Sequence, residues 1–448
     1  MSTELTQVDL IREAFYYKSR FHSSTMVFKI DFPVTEDPGF PSLMKDLALL
    51  AQNGFKVVIV PGAKEWIDIT LKRHGIDFSY NTSDEKPVRI TTAKIISFVE
   101  MAAFNVASYY MTFLSGSRVE ALIGNFVRAR GLGVQNGIDM EHTGTVDKIY
   151  VDSISKVLNL GMVPILPCIG WSPSGKPYNV PTDEIALAVS GALGAEKLFI
   201  VTVHDGIKAA DFNLPESSAD PVKTRPDGTM IKLTLAQAEA AINGVSDSID
   251  AKQSLKKLKL ALQAGSAGVD RVHIIDGRVE GAILLELFSN LGLGTMVYTD
   301  EYESIRILHS RDIPEVLRLM EPLMKKGILL RRSVEQILEK KNDYAVFEID
   351  GSIHACAALF DWGEDQGEIA AVATDPLYTD LGLGRRIVGY FIDKARKNHM
   401  KRVFALTTTT HDWFEALGFK EAPVESLPQQ KQKVYDRKRN SKVFALDL

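Results

Sequence analysis

The sequence predicts an α/β protein in two units: a mostly parallel sheet enclosed by helices, then a smaller mixed α/β domain. Three observations carry this expectation. A chain of 448 residues is too long for one ordinary core. As far as about residue 298, short β-branched runs alternate with helical periodicity, the rhythm of a parallel sheet covered by helices. From Ile305 onward the rhythm changes to closely spaced strands, with Asp350-Gly351 as a hairpin turn.

In order, an amphipathic helix from Leu10 to about Arg20 precedes the strand MVFKI, a helix, the strand FKVVIVPG and a further helix. VRITT, a helix from Thr92 to about Ser115, EALIGNF and, past a glycine-rich stretch, MVPILPC continue the pattern. A helix from Asp183 to Gly194, the strands KLFIVT and RVHIID, the helix GAILLELFSNLG and GTMVYTD complete the first domain, 1–298. Acidic and polar residues at 299–304 (the run TDEYES spans Thr299–Ser304) mark a linker. The second domain, 305–448, reads as strand IRILHS, helices Pro314 to Lys326 and Ser333 to Lys341, and strands YAVFEID, SIHACAALFDW and GEIAAVATD. A helix from Gly384 to Lys397, RVFALTTTT, the helix DWFEALG and a last strand VYDRKRNSKVFALDL follow.

Composition narrows the function classes. Hydrophobic residues at 45% and charged residues at 24% are a globular balance. A net charge of −5 leaves no basic footprint, so nucleic acid is not an expected partner. Cys168 and Cys356 lie far apart, which argues against a disulfide framework or zinc site, and no metal is expected. No apolar run approaches the roughly 18–20 residues that span a bilayer, nor does the amino terminus carry a signal-like apolar stretch, so the expectation is cytoplasm and no membrane.

The most informative local feature is GEIAAVATDPLYTDLGLGRRIVGYFIDKARK. Gly382 and Gly384 allow close backbone approach, the following helix offers free N–H groups and its dipole, and Arg385 and Arg386 add positive charge. Together these suit a pyrophosphate, although a tight turn packing a helix on a sheet would read the same. Neither the Rossmann fingerprint nor a Walker A loop is present. With the preceding strands and HDWFEALGF, whose Phe414 to Phe419 forms a late aromatic-to-Gly-Phe signature, the segment resembles the GNAT acetyltransferases. Thr379 stands where that superfamily often has Gln or Arg.

Acetyl transfer to an amine needs a base and a proton for the leaving thiolate. Glu368 on the strand before the glycine loop is the candidate base, and Thr407 on the neighbouring strand the candidate acid. A solvated strand-end carboxylate and plain β-propensity are the bland alternatives. Arg331-Arg332 and Arg437-Lys438-Arg439 suggest an anionic acceptor, against a reading as solvated surface charge.

GILLRRS, GEIA, FALTTTTHDWF, RNSKVFALDL and the upstream LLELFSNLGLGT resemble the bacterial N-acetylglutamate synthases across essentially the whole chain. The resemblance implies an amino-acid-kinase-like αβα sandwich with a mostly parallel sheet, fused to a mixed α/β GNAT domain. It implies direct transfer from acetyl-CoA to L-glutamate, giving N-acetyl-L-glutamate, the first step of arginine biosynthesis. Glu368 then matches the general base and Thr407 a general acid. Leu330, Arg332, Arg439 and Ser441 match glutamate-binding positions; Val372, Ala373 and Thr374 with Asp380, Leu381, Gly382, Leu383, Gly384 and Arg385 match the acetyl-CoA segment. An acetyltransferase for another amino acid or amine, and a non-catalytic arginine sensor, are the rival readings.

The first domain resembles N-acetylglutamate kinase with eroded phosphate loops. Lys29-Ile30-Asp31-Phe32 and Pro61-Gly62-Ala63-Lys64 stand where several glycines would be needed, though Lys29, Asn179 and Asp183 match kinase positions and Pro181 lies between the last two. Kinase activity is therefore not expected. The resemblance instead places an allosteric L-arginine at Tyr17, His273, Glu286 and Gly292, and implies a homo-oligomer, with a hexamer as one form.

Overall fold

Val27 and Phe28, adjacent on one strand, are both fully buried, and they face different cores. That arrangement requires helices on both faces of the sheet. The computed structural model describes residues 23–82, 87–204, 206–213, 222–246, 248–288, 292–299, 303–349, 352–376, 378 and 382–448. The chain separates near residue 300 into two units.

Among the described residues the first unit's main sheet has eight strands. Their spatial order is Lys232–Thr234, Thr295–Tyr298, Arg271–Asp276, Lys197–Thr202, Thr25–Ile30, Lys56–Pro61, Val163–Ile165 and Ala121–Ile123. All neighbours are parallel except Arg271–Asp276 with Thr295–Tyr298. Phe28, Ile30, Val57 and Ile59 pack with helices Phe40–Gln52 and Ile96–Gly116; Val27, Val58, Leu198 and Ile200 pack with helices Thr182–Leu193 and Ile249–Ser266. This is the αβα sandwich.

Several local expectations change. Within VRITT, Val88–Arg89 pairs with Tyr80–Asn81 and Thr91 bridges Glu141, and the helix begins at Ile96 because Thr92 to Ile95 form its lead-in turn. The glycine-rich stretch contains part of a second, four-stranded sheet, Pro177–Asn179, Ile169–Trp171, Val127–Gly131 and Gly144–Ile149. Helices Leu235–Asn243 and Ile249–Ser266 fill the interval before RVHIID, each led by a hydroxyl cap, Thr234 and Ser248. The Leu10–Arg20 helix and the Asp350-Gly351 turn lie outside the described residues.

The second unit's sheet runs Glu303–Ile307, Tyr344–Ile349, Ser352–Asp361, Gln366–Thr374, Arg402–Thr407, Lys442–Asp447 and Lys420–Ala422. Neighbours are antiparallel except Gln366–Thr374 beside Arg402–Thr407, and that parallel step requires a crossover, helix Leu383–Lys397. The helix buries Leu383, Ile387, Val388, Phe391 and Ala395 against one face; helix Ile313–Lys325 covers the other. The parallel register extends only from Gln366 with Arg402 to Glu368 with Phe404, and pairing stops there although both strands continue. Ala371, at a bulge where Cys356 pairs Ala373 and Ala358 pairs Ala370, has φ of +55°.

The terminal VYDRKRNSKVFALDL is strand only over Lys442–Asp447. Asp436 accepts from the amides of Lys438 and Arg439, turning the chain before the strand begins, and QQKQK forms helix Gln429–Lys433. Among the described residues no helix is long and apolar enough to cross a membrane.

Candidate active site

Glu368 ends the three-residue parallel register, so it stands where the two strands cease to pair. Its side chain is buried, and its Oε2 accepts from Trp362 Nε1 at 2.8 Å and Lys431 Nζ at 2.6 Å. Lys431 also lies over the Trp362 ring, 4.6 Å from its centre. Leu330, Arg332, Glu368, Lys431, Arg439 and Ser441 line one cleft of about 90 Å³ that opens to solvent.

Tertiary contacts orient the cationic groups. Arg332 stacks over Phe360 and Tyr344, 5.1 Å and 5.9 Å from the ring centres. Arg439 donates to the carbonyls of Ile328 and Gly327, while its buried Nε has no partner among the described residues. Tyr435 donates its hydroxyl to the Ser441 carbonyl at 2.6 Å, fixing the buried serine at the cleft. Arg331, Arg437 and Lys438 are exposed, so for them the solvated reading holds. Lys431 and Trp362 were not anticipated from sequence, since a lysine within QQKQK looks like any solvated helix face.

Thr407 is buried at the end of its strand. Its Oγ1 accepts from the amides of Thr410 and Thr409 at 3.0 Å and 3.3 Å and lies 2.7 Å from Thr410 Oγ1. Burial pushes the Cys356 thiol up to about 12, so it is no nucleophile near neutrality.

In the expected coenzyme segment, Val372, Ala373 and Thr374 follow the bulge on the strand that leaves its neighbour. Asp380, Leu381 and Thr379 lie outside the described residues. Gly382 has φ of +68° and leads the helix, with no capping side chain among the described residues. The two glycines have different reasons. A Cβ on Gly382 would meet open space, so conformation alone selects glycine there. On Gly384 it would meet Trp413 at 3.1 Å and Thr374 at 3.4 Å, so that glycine serves packing. Leu383 is buried, Arg385 is exposed, and Arg386 stacks 4.6 Å over Phe347.

At the kinase-like positions of the first unit, Lys29 Nζ lies 2.5 Å from Asp31 and 2.7 Å from Asp183. Burial works against its charge, yet Asp183 and Asp31 hold Lys29 above the usual lysine range. Asn179 donates to Thr91 Oγ1 at 3.0 Å, and Pro181 caps helix Thr182–Leu193. Gly62 approaches the Ile30 carbonyl so closely that a Cβ would sit 2.9 Å from it. That glycine serves strand packing.

His273, Glu286 and Gly292 come together, while Tyr17 lies outside the described residues. His273 Nδ1 is 2.8 Å from Glu286 Oε1, and Glu286 Oε2 accepts from the amides of Leu293 and Gly294 at 2.6 Å and 3.0 Å. Burial lowers the His273 pKa, leaving a neutral ring that stacks on Phe199. Burial of Glu286 favours its neutral form, but hydrogen bonds from His273, Gly294 and Leu293 outweigh it and hold the carboxyl below the usual glutamate range. Gly292, with φ of +41°, would place a Cβ 3.1 Å from Glu286. Arg225 donates to the carbonyls of Gly292, Leu293 and Gly294, pinning the loop from its other side, a contact that no sequence signal suggested.

Residues 33–276 match the Amino acid kinase family, and residues 313–419 match the Acetyltransferase (GNAT) family. An amino-acid acetyltransferase of Neisseria meningitidis is 33% identical over 447 residues, covering 98% of this chain and 97% of its own. That of Escherichia coli (strain K12) is 30% identical over 458 residues, covering 100% and 98%. The crystal structure of N-acetylglutamate synthase from Neisseria gonorrhoeae complexed with coenzyme A and L-arginine is similar at a TM-score of 0.81, with 31% identity over 99% of each chain. A second structure of that synthase, complexed with coenzyme A and N-acetyl-glutamate, gives 0.60 and 33%, again over 99% of each. An amino-acid-kinase-like fold followed by a GNAT fold, matched along nearly its whole length, places this chain in the amino-acid acetyltransferase family.

Proposed function

We propose that Glu368 removes a proton from the α-amine of L-glutamate while Arg332, Arg439, Ser441 and the Leu330 main chain hold its carboxylates. The protein is an acetyl-CoA:L-glutamate N-acetyltransferase that makes N-acetyl-L-glutamate and coenzyme A. The strongest support for the residue roles is the cleft, which gathers Glu368, Arg332 and Arg439 at the point where the sheet opens. The ammonium proton passes to Glu368 and on to solvent, and the free amine attacks the thioester carbonyl. As the C–N bond forms and the C–S bond breaks, the sulfur takes a proton from Thr407. The proton that nitrogen sheds on becoming an amide restores the hydroxyl. Two amides fill the acceptor sites of Thr407, so its own proton is directed to Thr410 Oγ1 and turns from there to the leaving sulfur.

Acetyl-CoA fits the groups that line its expected segment. The helix led by Gly382 presents its first-turn amides to the pyrophosphate, beside Arg385, and the strand edge at Val372, Ala373 and Thr374 lines the approach. Asp380, Leu381, Leu383 and Gly384 complete that segment. The first domain is regulatory: Asp31 occupies the cation a phosphate would need, and L-arginine binds as effector at Tyr17, His273, Glu286 and Gly292. A cytoplasmic homo-oligomer is the setting this reading implies.

A thiol-release assay with acetyl-CoA across amino-acid acceptors, with and without arginine, tests the whole scheme. L-Glutamate should be the preferred acceptor, arginine should change its rate, and Glu286→Ala should abolish that response. Equal rates with amino acids lacking an acidic side chain would exclude the acceptor assignment.

A further inference from the structure

The cleft contains a lysine for which neither the glutamate positions nor the coenzyme segment accounts. Lys431, only 8% exposed, places Nζ 2.6 Å from Glu368 Oε2, the same oxygen that accepts from Trp362. Among the described residues nothing donates to Oε1. An ammonium this close occupies the carboxylate oxygen that an acceptor's own ammonium would have to approach.

The neighbours indicate what reverses this. Arg332, Lys431 and Arg439 line the cleft against Glu368 and Asp436, and Asp436 is engaged by the amides of Lys438 and Arg439. Cationic capacity is thus in excess by one charge, which an acceptor with two carboxylates and one ammonium neutralises. One carboxylate competes with Glu368 for Lys431, and the ammonium takes the lysine's place beside Glu368.

We propose that Lys431 is a positioning residue that restrains Glu368 in the free enzyme and passes to a carboxylate of the acceptor, so that a dicarboxylic amino acid frees the base that deprotonates it. This rests on the base and acceptor assigned above. The test compares thiol release by wild type, Lys431→Met and Lys431→Arg with L-glutamate and with L-glutamine. Lys431→Met should lower kcat/KM for glutamate by about thirtyfold or more, leave glutamine equal or faster, and shrink the preference to about threefold, whereas Lys431→Arg should keep it. An equal loss with both acceptors, or an intact preference, overturns the proposal.

Calorimetric titration of N-acetyl-L-glutamate, which has no ammonium, supplies a test whose first arm, Glu368→Gln, does not depend on folding of a lysine variant. Glu368→Gln should bind it more tightly than wild type because Lys431 is already released, and Glu368→Gln/Lys431→Met should lose that gain. No gain in Glu368→Gln also overturns the proposal. A wild-type enzyme inert toward glutamate would refute the acceptor assignment instead.

Discussion

Lys29 and Lys431 are both buried lysines bonded to carboxylates, one in the kinase-like domain and one in the acetyltransferase domain. Lys29 is spanned by Asp31 and Asp183. Lys431 meets a single carboxylate, in a cleft that also carries Arg332 and Arg439. The first site has built its counter-charges into the chain, and the second leaves cationic capacity for a ligand to satisfy. Two lysines of similar burial therefore indicate opposite uses, and the number of protein anions around each separates them.

The comparison breaks first at Glu368. Glu368→Gln should lower kcat by about 10²–10⁴-fold with a far smaller effect on the KM for glutamate, measured by thiol release. A near-wild-type kcat across pH would remove Glu368 from the chemistry. Next, Arg439→Ala should raise the KM for glutamate by roughly thirtyfold or more, since a carboxylate loses a charged partner. An unchanged KM would show the cleft's surplus charge to be idle.

In the other domain, Lys29→Met should leave Asp31 and Asp183 facing each other and lower the first domain's stability by about 2 kcal/mol. The partly exposed aspartates argue for this modest figure, and Asp31→Asn in the same chain should recover part of the lost Tm. The smallest effect concerns pH. Burial holds the folded His273 pKa below 6.5, so just below that value the unfolded chain binds a proton the folded chain does not. Stability from this group is therefore present above about pH 6.5 and declines as pH falls, by at most about 1.4 kcal/mol per unit. Thermal unfolding between about pH 7 and about pH 5 should show the slope in wild type and less of it in His273→Asn.

Much of this contrast was legible in sequence. Asp31 in place of a glycine and the spacing of Glu368, Arg332, Arg439 and Ser441 are local signals that a resemblance can carry. Lys431 and Trp362 were hidden because their meaning is tertiary: a polar five-residue helix and a tryptophan at a strand end say nothing until they converge on one oxygen. Arg225 was hidden for the same reason, about seventy residues away from the loop it holds. The four-stranded second sheet escaped notice because two of its strands are only three residues long, too short for alternation to register. For the glycine loop, sequence gave one reason for two glycines, and packing against Trp413 separates them.

The three-residue register between Gln366–Thr374 and Arg402–Thr407 has a mechanical meaning. Beyond Glu368 each strand keeps only its outer neighbour, Ser352–Asp361 on one side and Lys442–Asp447 on the other, so the sheet contains a wedge whose two walls are braced from behind. Glu368 stands at its apex, and whatever enters the wedge meets walls already held in place.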